Sequence, residues 1–461
     1  MLKIGFRSIH ALVVGLGRSG KASIAFLLQQ GISVTGVDDN VQYVQTDPEI
    51  ACFKQAGASI CVESASLLRE KFDFALFSPG IPRVHPLYAA MQQRNVPILG
   101  EVELASRFLK TSLLGITGTN GKTTVTSLVT HILNCSGRSA LAVGNIGVPL
   151  VSLLLGDEGS GSGISIPQFL VVELSSFQLE TLKTPILDAG VLLNITPDHL
   201  DRYANMEEYA ATKMGISHCI KSGGSFYLEE RCFLEYSHLL HREKALRYGY
   251  SKECKVSTDL KGLFFNKKLV FPLPISYQGR KSHDLENILA AYALCRHVGV
   301  EDELFLAALA TFKKPLHRLQ FVTEIDGIKY IDDSKGTNLD AVIRAVEMTS
   351  APIVLIAGGV DKGAAYTPWI QGFAQKVKSI CAIGQAKDKI KRDLGHAIPV
   401  HCFETLQEAV IYASVEAKPS GSVLLAPGCA SFDMFRDYAH RGEEFQRIVL
   451  RLGANKSVGA R

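Results

Sequence analysis

One glycine-rich segment ends in a lysine and two threonines, an order that suits the binding of a nucleoside triphosphate. Residues 115–124 read Gly-Ile-Thr-Gly-Thr-Asn-Gly-Lys-Thr-Thr, between a short apolar run and a helical pattern. In such a loop the backbone N–H groups cradle phosphates, the lysine reaches the outer phosphates and a hydroxyl binds Mg²⁺. We therefore predict an ATP site in which Lys122 contacts phosphate and Thr123 holds Mg²⁺. Ile116 stands where the usual pattern has glycine, and an incidental glycine turn is the alternative.

A second glycine-rich turn, Gly15–Gly20, has the spacing G-x-G-x-x-G between an apolar run and a helical pattern. Its glycines allow a tight turn and a close approach of the backbone to a diphosphate at the helix N-terminus. The next strand ends at Val37–Asp39, about where an acid binds a ribose in dinucleotide sites. These residues alone leave open an NAD-dependent oxidoreductase, a site for another diphosphate ligand, or helix–strand packing that binds nothing.

Short apolar runs that alternate with helical patterns would position both loops. Most of the runs are almost continuously apolar, which is typical of strands buried on both faces of a parallel sheet. The predicted fold class is therefore α/β. The runs that we interpret as strands include Ala11–Val14, Ser33–Val37, Phe74–Phe77, Leu113–Ile116, Leu170–Val172, Gly190–Leu193, Ile353–Ala357 and Val423–Ala426.

The chain of 461 residues divides into three blocks along these runs. At roughly 100–200 residues for each domain, the length predicts two to four domains. We place the blocks at residues 1–99, 100–314 and 315–461, and a low-complexity surface loop at Gly156–Gly163.

Composition and charge exclude several classes of protein. Apolar residues make up 47% of the chain and charged residues 20%, which excludes a disordered or fibrous protein. No apolar run approaches the ~18 residues of a membrane span, and we expect no signal peptide. Ten cysteines without a CxxC pair favour a reducing cytoplasm. A net charge of +4 is too small to indicate a nucleic-acid partner.

Several motifs, in chain order, carry a resemblance to a known superfamily. Gly118–Thr123 resembles the ATP loop of the Mur ligases and folylpolyglutamate synthases, and further motifs of that superfamily are similar to Val172–Leu179, Asn194–Arg202 and Asp332–Asn338. The Mur ligases that add D-glutamate are indicated by Gly15–Gly17, Ser78–Ile81 and Pro427–Asp433. The resemblance covers the whole chain. It implies a Rossmann-like N-terminal domain for a UDP substrate, a central P-loop domain and a Rossmann-like C-terminal domain.

The resemblance implies an ATP-dependent ligase of peptidoglycan precursor synthesis. Such an enzyme joins D-glutamate to UDP-N-acetylmuramoyl-L-alanine through an acyl phosphate, with ATP and two Mg²⁺ sites. It also implies a cytoplasmic monomer with no nucleic-acid partner and no membrane insertion. The alternatives are another ligase of the superfamily and, more distantly, an NAD-dependent oxidoreductase.

The resemblance also implies roles for individual residues. The ATP site would contain Gly118, Thr119, Asn120, Gly121, Lys122, Thr123, Thr124, Asn287, Arg318, Asp333 and Lys335. Catalysis and Mg²⁺ binding would involve Lys122, Thr123, Glu173, His199 and a carbamylated Lys213. The UDP substrate would contact Gly15, Leu16, Gly17, Arg18, Ser19, Asp38, Asp39, Gly80 and Asn145. The D-glutamate site would contain Thr337, Lys362, Ser431 and Tyr438.

Three of these residues have plainer interpretations that the sequence leaves open. Glu173 follows a buried-looking run at the end of a strand, which suits a Mg²⁺ ligand, but it could instead cap a helix over Leu174–Leu182. His199 could be structural, because imidazole is a poor ligand for Mg²⁺. Lys213 lies on a helix that we expect to open at Asn205 and to run through about Ile220, and an exposed helix lysine is its ordinary role.

Four other residues depart from the pattern of the superfamily or depend on a local prediction. Asn40 stands where members often have arginine, and Asp284 stands where they have an asparagine that can donate as well as accept. Tyr438 replaces a common phenylalanine. Ser431 precedes a helical pattern, so a helix N-terminus is expected to assist anion binding there.

Overall fold

The computed structural model describes residues 9–156, 166–240, 245–279, 281–373 and 375–458. Residues 157–163 of the predicted surface loop therefore lie outside the described residues. The described strands form three sheets of five, nine and six strands. The predicted α/β class is confirmed, with one sheet in each of three α/β domains.

The first sheet is parallel throughout. Its strands are β1 (His10–Val14), β2 (Ser33–Asp38), β3 (Ser59–Val62), β4 (Phe74–Phe77) and β5 (Ile98–Leu99), in the order β3-β2-β1-β4-β5. The accompanying helices are α1 (Arg18–Gln29), α2 (Val41–Thr46), α3 (Pro48–Gln55), α4 (Pro86–Gln93) and α5 (Glu101–Ser106). The loops that follow β1, β2 and β4 therefore meet at one edge of the sheet.

The second sheet is parallel except for an antiparallel extension. Its strands are β6 (Ser112–Thr117), β7 (Ala140–Gly144), β8 (Phe169–Glu173), β9 (Leu187–Leu192), β10 (Ile220–Glu229), β11 (Leu246–Gly249), β12 (Val256–Thr258), β13 (Gly262–Phe265) and β14 (Lys268–Pro272). The order is β14-β13-β12-β11-β10-β9-β6-β8-β7, and the pairs β12–β13 and β13–β14 are antiparallel. The helices are α6 (Lys122–Cys135), α7 (Ser176–Leu179), α8 (Met206–Met214), α9 (Glu230–Tyr236), α10 (His283–His297) and α11 (Asp302–Thr311).

The third sheet has one antiparallel edge strand. Its strands are β15 (Gln320–Ile325), β16 (Ile328–Asp332), β17 (Ile353–Gly358), β18 (Val377–Ile383), β19 (Val400–Cys402) and β20 (Ser422–Leu425), in the order β15-β16-β20-β17-β18-β19. Only β15 runs antiparallel to its neighbour among these described strands. The helices are α12 (Leu339–Met348), α13 (Pro368–Gly372), α14 (Lys387–Leu394), α15 (Leu406–Glu416) and α16 (Tyr438–Val458).

Burial explains why the central strands are almost continuously apolar. Every residue of β8 and of β17 is buried, because helices cover both faces of a parallel sheet. The antiparallel edge strand β15 has no buried residue. The predicted strands are confirmed where both faces are covered, and the edge strand lacks that strong sequence signal.

The described chain forms two compact units. The first contains the residues up to Asn194 together with Ala210–Phe312, and it carries the first two sheets. The second contains Ile195–Tyr209 together with the residues from Lys313, and it carries the third sheet. Residues 195–209 thus leave the unit of the preceding chain and pack with the C-terminal residues. The domain boundaries that we drew at residues 99 and 314 stay a prediction.

Two buried carboxyl groups on α5 are held in different ways. Glu101 accepts a hydrogen bond from the N–H of Val151 at 2.6 Å, at the start of a 3₁₀ turn over Leu150–Leu154. Burial raises the pKa of Glu101 to about 7, against the effect of its backbone hydrogen bonds. Burial acts in the same direction on Glu103, but hydrogen bonds from Thr184 and its neighbours outweigh it and lower the pKa of Glu103.

Replacing Glu101 by Gln should remove a pH dependence of stability. A carboxyl group whose pKa is raised by folding stabilises the fold fully below its unfolded pKa, 4.5, and loses that contribution as the pH rises through about 7. The free energy of unfolding of the wild type, relative to Glu101→Gln, should therefore fall by about 2 kcal/mol between about pH 5 and pH 8. Urea unfolding across this range measures the difference.

Glu103→Gln is the matched control, two residues away on the same helix. A lowered pKa gives a contribution that is present above the unfolded pKa and lost as the pH falls through the folded pKa. The difference between the wild type and Glu103→Gln should therefore stay constant from about pH 5 to pH 8 and change only in more acidic solution. A constant difference for Glu101→Gln over the same range would mean that Glu101 ionises normally in the fold.

Candidate active site

The loop between β6 and α6 has the backbone of a phosphate-binding loop. Gly118 and Gly121 have φ angles of 148° and 86°, a region that favours glycine. A Cβ at Gly121 would lie 2.5 Å from Oδ1 of Asn287 on α10, so this glycine also allows close packing. The Nζ of Lys122 donates to the carbonyl oxygens of Gly118 at 2.7 Å and Thr119 at 2.8 Å. The lysine is thereby folded over the loop, and its contact with phosphate stays a prediction.

An asparagine that we did not predict as a site residue holds this loop in place. Oδ1 of Asn194 accepts from the N–H of Asn120 at 2.8 Å, and its Nδ2 donates to the carbonyl of Asn120 at 3.0 Å. The carbonyl of Asn194 accepts from the N–H of Thr119 at 2.8 Å. These three hydrogen bonds hold the backbone of the phosphate-binding loop at Thr119 and Asn120. The sequence signals were its position directly after a predicted strand and at the start of the motif Asn194–Arg202.

Glu173 has one carboxylate oxygen that the described protein does not satisfy. The residue ends β8, which pairs with β6, and it is buried. Its Oε1 accepts from Nδ2 of Asn145 at 2.8 Å, whereas its Oε2 has no hydrogen-bond partner within the described part of the chain. The alternative role as a helix cap is wrong, because Ser175 caps α7 in a capping box with Gln178. A buried, unsatisfied carboxylate oxygen suits a hard cation such as Mg²⁺.

Lys213 is not an exposed helix lysine. Its side chain is 1% exposed, and its Nζ donates to the carbonyl of Gly118 at 2.9 Å. Two lysine side chains, Lys122 and Lys213, thus donate to the same carbonyl oxygen. The helix begins as predicted, since Oδ1 of Asn205 accepts from the N–H of Glu208. It is shorter than predicted, because the α-helix ends at Met214 and tightens into a 3₁₀ turn.

In the turn after β1, the backbone of Gly15 lies close to the side chain of Ser78. Gly15 has a φ of 85°, and a Cβ there would lie 2.9 Å from Cβ of Ser78. Ser78 Oγ donates to the carbonyl of Gly15 at 2.6 Å. Asp38 faces the turn rather than solvent, because its Oδ2 accepts from the N–H of Leu16 at 2.8 Å. Asp39 is exposed at the same edge.

The first unit connects this turn to Glu173 through one loop. The guanidinium of Arg18, at the first position of α1, lies 3.5 Å from the carbonyl of Gly147. Two residues earlier, Asn145 donates to Oε1 of Glu173 from its side-chain amide and to the carbonyl of Glu173 from its backbone N–H.

The side chain of Asn40 serves as the N-cap of α2, because its Oδ1 accepts from the N–H of Tyr43.

The second unit gathers the predicted ATP residues of the C-terminal block around the end of β16. Asp333 is buried, and burial raises its pKa to about 7 against the opposing charge of Arg318. The ammonium of Lys335 lies 3.7 Å from the centroid of the Tyr438 ring, within cation–π range. The buried guanidinium of Arg441 donates to the carbonyls of Ser334 and Cys429, so it ties the loop after β16 to the loop after β20.

Among the residues predicted to bind the amino acid, the role of Lys362 stays a prediction, whereas the helix predicted after Ser431 is wrong. The Nζ of Lys362 lies 3.1 Å from Oδ1 of Asp198, and the neighbouring His199 has a φ of 56° in the left-handed region. The helix that we expected to begin after Ser431 is absent from the described residues there. A turn follows instead, in which the carbonyl of Ser431 accepts from the N–H of Phe435 at 2.8 Å. The helix α16 begins only at Tyr438.

The predicted site residues thus fall into two sets. The first unit brings together Lys122, Lys213 and Asn287 around the phosphate loop, with Glu173 at the end of the adjacent strand. The second unit carries His199, Arg318, Asp333, Lys335, Thr337, Lys362, Ser431 and Tyr438. No group of three or more His, Cys, Asp or Glu side chains with metal-site geometry occurs within the described ranges. Nor does any described helix have the length and hydropathy needed to cross a membrane.

Comparison with known protein families assigns all three domains. The MurD-like N-terminal domain of Mur ligases matches residues 9–100, the Mur ligase middle domain matches 116–295, and the glutamate ligase domain of Mur ligases matches 317–429. The chain belongs to the Mur ligase family. It is therefore an ATP-dependent ligase.

Individual relatives cover almost the whole of this Mur ligase. The UDP-N-acetylmuramoylalanine--D-glutamate ligase of Protochlamydia amoebophila is 47% identical over 95% of this chain and 97% of its own length. The enzyme of the same name from Solibacter usitatus is 36% identical over 96% and 98%.

Solved structures of Mur ligases share the fold. The UDP-N-acetylmuramate-alanine ligase MurC of Thermotoga maritima has a TM-score of 0.59 at 19% identity, and covers 97% of this chain and 100% of its own. MurF of Acinetobacter baumannii has a TM-score of 0.60 at 16% identity over 94% and 93%.

Replacing Asn194 by Ala should weaken ATP binding by this Mur ligase more than it slows the reaction. The variant loses both amide contacts to Asn120, so the phosphate loop is no longer held before the nucleotide arrives. We expect the KM for ATP to rise about tenfold, the equivalent of one to two hydrogen bonds. Steady-state kinetics with ATP varied gives the measurement.

Asn134→Ala is a suitable control, because Asn134 makes a similar amide pair with Ala140 at the far end of α6. Its KM for ATP should stay within about twofold of wild type. A similar rise in both variants would attribute the effect to the stability of the domain.

Proposed function

We propose that this ligase joins D-glutamate to UDP-N-acetylmuramoyl-L-alanine and converts ATP to ADP and phosphate, as a cytoplasmic monomer of peptidoglycan precursor synthesis. The observation that carries the proposal is the group around Gly118, where two lysines meet a phosphate-binding loop near a buried, half-satisfied carboxylate. The names of the relatives at 47% and 36% identity support the choice of substrates. All ten cysteines are free thiols, which agrees with a reducing compartment.

The first step requires two anions to meet. A carboxylate oxygen of the UDP substrate attacks the γ-phosphorus of ATP, the bond to the β–γ bridging oxygen breaks, and ADP leaves. Lys122 offsets negative charge at the transferred phosphoryl group. Mg²⁺, when bound, neutralises further charge on the phosphate oxygens, and Glu173 Oε2 and the Thr123 hydroxyl are the groups that would hold it.

The second step forms the amide. The neutral amine of D-glutamate attacks the carbonyl carbon of the acyl phosphate, the bond from that carbon to the phosphate oxygen breaks, and inorganic phosphate leaves with the one proton that the nitrogen loses. The amino acid brings two carboxylates, which require cationic and hydroxyl donors. We assign Lys362, Thr337 and Ser431 to these carboxylates, with Tyr438 beside them. His199 is the residue that would bind a second Mg²⁺.

The UDP substrate would extend along the path from the first sheet to Glu173. The turn Gly15–Ser19 would hold the diphosphate with its backbone N–H groups, with Asp39 and Gly80 at the same edge of the sheet. Arg18 would supply the cationic contact for which Asn40 is unsuited. Asn145 would contact the sugar end, next to the carboxylate that reacts.

For the nucleotide, we assign contacts in both units. Asn287 lies against Gly121 and would contact the nucleoside of ATP. Asp284, one turn earlier on α10, can only accept hydrogen bonds when ionised, so we assign it no amide-like role with adenine. Arg318, Asp333 and Lys335 would complete the phosphate contacts.

Phosphate release that depends on D-glutamate tests the proposed function. With UDP-N-acetylmuramoyl-L-alanine, ATP and Mg²⁺ present, D-glutamate should start phosphate release, and L-glutamate, D-alanine or L-lysine should not.

Lys122→Ala should abolish the release and stay folded, because it removes only a phosphate cation from the loop. Lys261→Ala, an exposed hairpin lysine, serves as the control with wild-type activity. Release with another amino acid would indicate a different ligase of the family, and wild-type release by Lys122→Ala would refute the assignment of the loop.

Lys213 is proposed to act as a carbamate. An ammonium there repels that of Lys122 across one carbonyl oxygen. The ammonium gives one proton to solvent, the neutral amine forms an N–C bond with CO₂ as one C–O π bond breaks, and a second proton leaves the nitrogen. The carbamate has lost the positive charge and carries two oxygens suited to Mg²⁺. The carbamate nitrogen keeps one hydrogen, so the bond to Gly118 survives.

Lys213→Ala should therefore lose most activity, and acetate or formate should restore part of it by supplying the missing carboxylate. Lys213→Arg should be inactive, because a guanidinium stays charged and forms no carbamate. Lys221→Arg, a conservative change on the surface of the same unit, controls for general effects. Carbon-13 NMR with labelled bicarbonate should show a carbamate signal in the wild type and in Lys221→Arg, and no such signal in Lys213→Ala or Lys213→Arg. Full activity of Lys213→Arg would refute the carbamate.

A further inference from the structure

The second unit contains a small cavity in which an acid and a lysine of the protein already satisfy each other. It is lined by Pro197, Asp198, Asn338, Leu339, Asp361, Lys362, Ala364, Tyr366 and Gly428. The free space among these side chains is about 10 Å³, which holds at most about one water molecule. An amino acid with two carboxylates cannot enter unless a side chain moves.

The carboxylate of Asp198 is the group that fills the cationic end of this cavity. Its Oδ1 accepts from Nζ of Lys362 at 3.1 Å, and its Oδ2 accepts from Nδ2 of Asn338 at 3.3 Å. The side chains of Asp198 and Lys362 are 8% and 17% exposed, so solvent screens the pair weakly. The N–H of His199 also donates to Oδ1 of Asp198 at 3.0 Å, and Nε2 of His199 lies 3.6 Å from Oδ2. The cavity thus presents a carboxylate whose contacts include one ammonium and one amide, an arrangement that an incoming carboxylate could replace.

We propose that Asp198 is an internal substitute for a carboxylate of the amino-acid substrate, and that this substrate binds by displacing Asp198 from Lys362. The inference rests on the proposed function, because it takes Lys362 as a ligand of D-glutamate. It adds that the free energy gained when the amino acid binds Lys362 is reduced by the free energy of the ion pair between Lys362 and Asp198. Part of the attraction of Lys362 for the substrate is used to break the contact with Asp198.

The other charged groups at the cavity do not compete for Lys362 in this way. Asp361 is engaged by Nζ of Lys389 at 2.8 Å and by the hydroxyl of Tyr366 at 2.9 Å. Asp340, on α12, pairs with Arg344 at 2.6 Å and accepts from Thr196. Among the described carboxylates at the cavity, Asp198 alone has an ion pair with Lys362, so its removal should have a specific effect.

Asp198→Asn tests the proposal through the KM for D-glutamate. The variant keeps the shape of the side chain and removes its charge, so Lys362 is freed for the substrate. We expect the KM for D-glutamate to fall about three- to tenfold, the range of a moderately buried ion pair, with the KM for ATP unchanged. Asp340→Asn is the matched control, because it removes one nearby negative charge without touching Lys362, and its KM for D-glutamate should stay within about twofold.

Two outcomes with Asp198→Asn would overturn the proposal. An unchanged KM for D-glutamate would mean that the pair does not oppose binding, and a raised KM would mean that Asp198 is itself a contact of the substrate. A similar fall of the KM for D-glutamate in Asp340→Asn would mean that the loss of any nearby negative charge lowers this KM, so the pair with Lys362 would not be the cause. Failure of the proposed function is distinguishable from all of these, because the wild type would then release no phosphate in response to D-glutamate.

Asn338→Ser provides a second test if Asp198→Asn is too slow to measure, as it could be if His199 shifts with its neighbour. Asn338 caps α12 by accepting from the N–H of Ala341 at 2.9 Å, and serine preserves a cap of this kind. The variant loses the amide that holds the second oxygen of Asp198. Its KM for D-glutamate should fall about twofold or more, with the melting temperature retained. A rise in this KM would also overturn the proposal.

Discussion

The carbonyl oxygen of Gly118 accepts hydrogen bonds from two lysines, and the chemistry of the first unit depends on this contact. A backbone carbonyl is a neutral acceptor, so it positions the ammonium of Lys122 without cancelling its charge, and it can keep its contact with the Lys213 nitrogen when that nitrogen carries a carbamate. The loop can present that carbonyl because glycine tolerates its φ angle and because Asn194 holds the neighbouring peptide. The Lys122 ammonium is therefore directed at the loop before any phosphate binds, and a phosphate needs to displace only neutral carbonyl partners.

The second unit uses the opposite arrangement. Lys362, which we assign to the amino acid, is bound to a full carboxylate rather than to a carbonyl. A ligand at the first site would gain nearly the whole of its attraction to Lys122, whereas a ligand at the second would gain only the excess over an existing ion pair. Weak binding with strong discrimination suits a substrate that must be chosen among many amino acids of the same charge.

The sequence was sufficient for features that depend on local geometry. Strands with both faces buried, such as β8, are continuously apolar, and glycines at positive φ stand where the loops turn. The prediction of a helix at Ser431 was wrong because the periodic pattern extends upstream of the true cap. Asp437 accepts from the N–H of His440 at 2.8 Å, and Asp433 accepts from the N–H of Gln385. The chain between these two aspartates therefore forms turns rather than a helix.

Features that depend on tertiary placement could not be predicted in the same way. The burial of Lys213 comes from the approach of α8 to the phosphate loop, across 95 residues of chain. The roles of Asn194 and Asp198 come from contacts with residues 74 and 164 positions away. Short polar side chains of this kind are common at strand ends, and periodicity does not separate those that hold a loop from those that face water.

The unsatisfied oxygen of Glu173 links the stability of the central domain to its ligands. Folding removes water from that oxygen and supplies no donor in return, so the native state carries an uncompensated desolvation cost there. A cation that binds the folded chain and not the unfolded one shifts the folding equilibrium by mass action, by about 2.7 kcal/mol at a hundred times its dissociation constant. The supply of magnesium and nucleotide would then affect the lifetime of this protein as well as its turnover, because the loaded form unfolds less often and is exposed less to proteolysis.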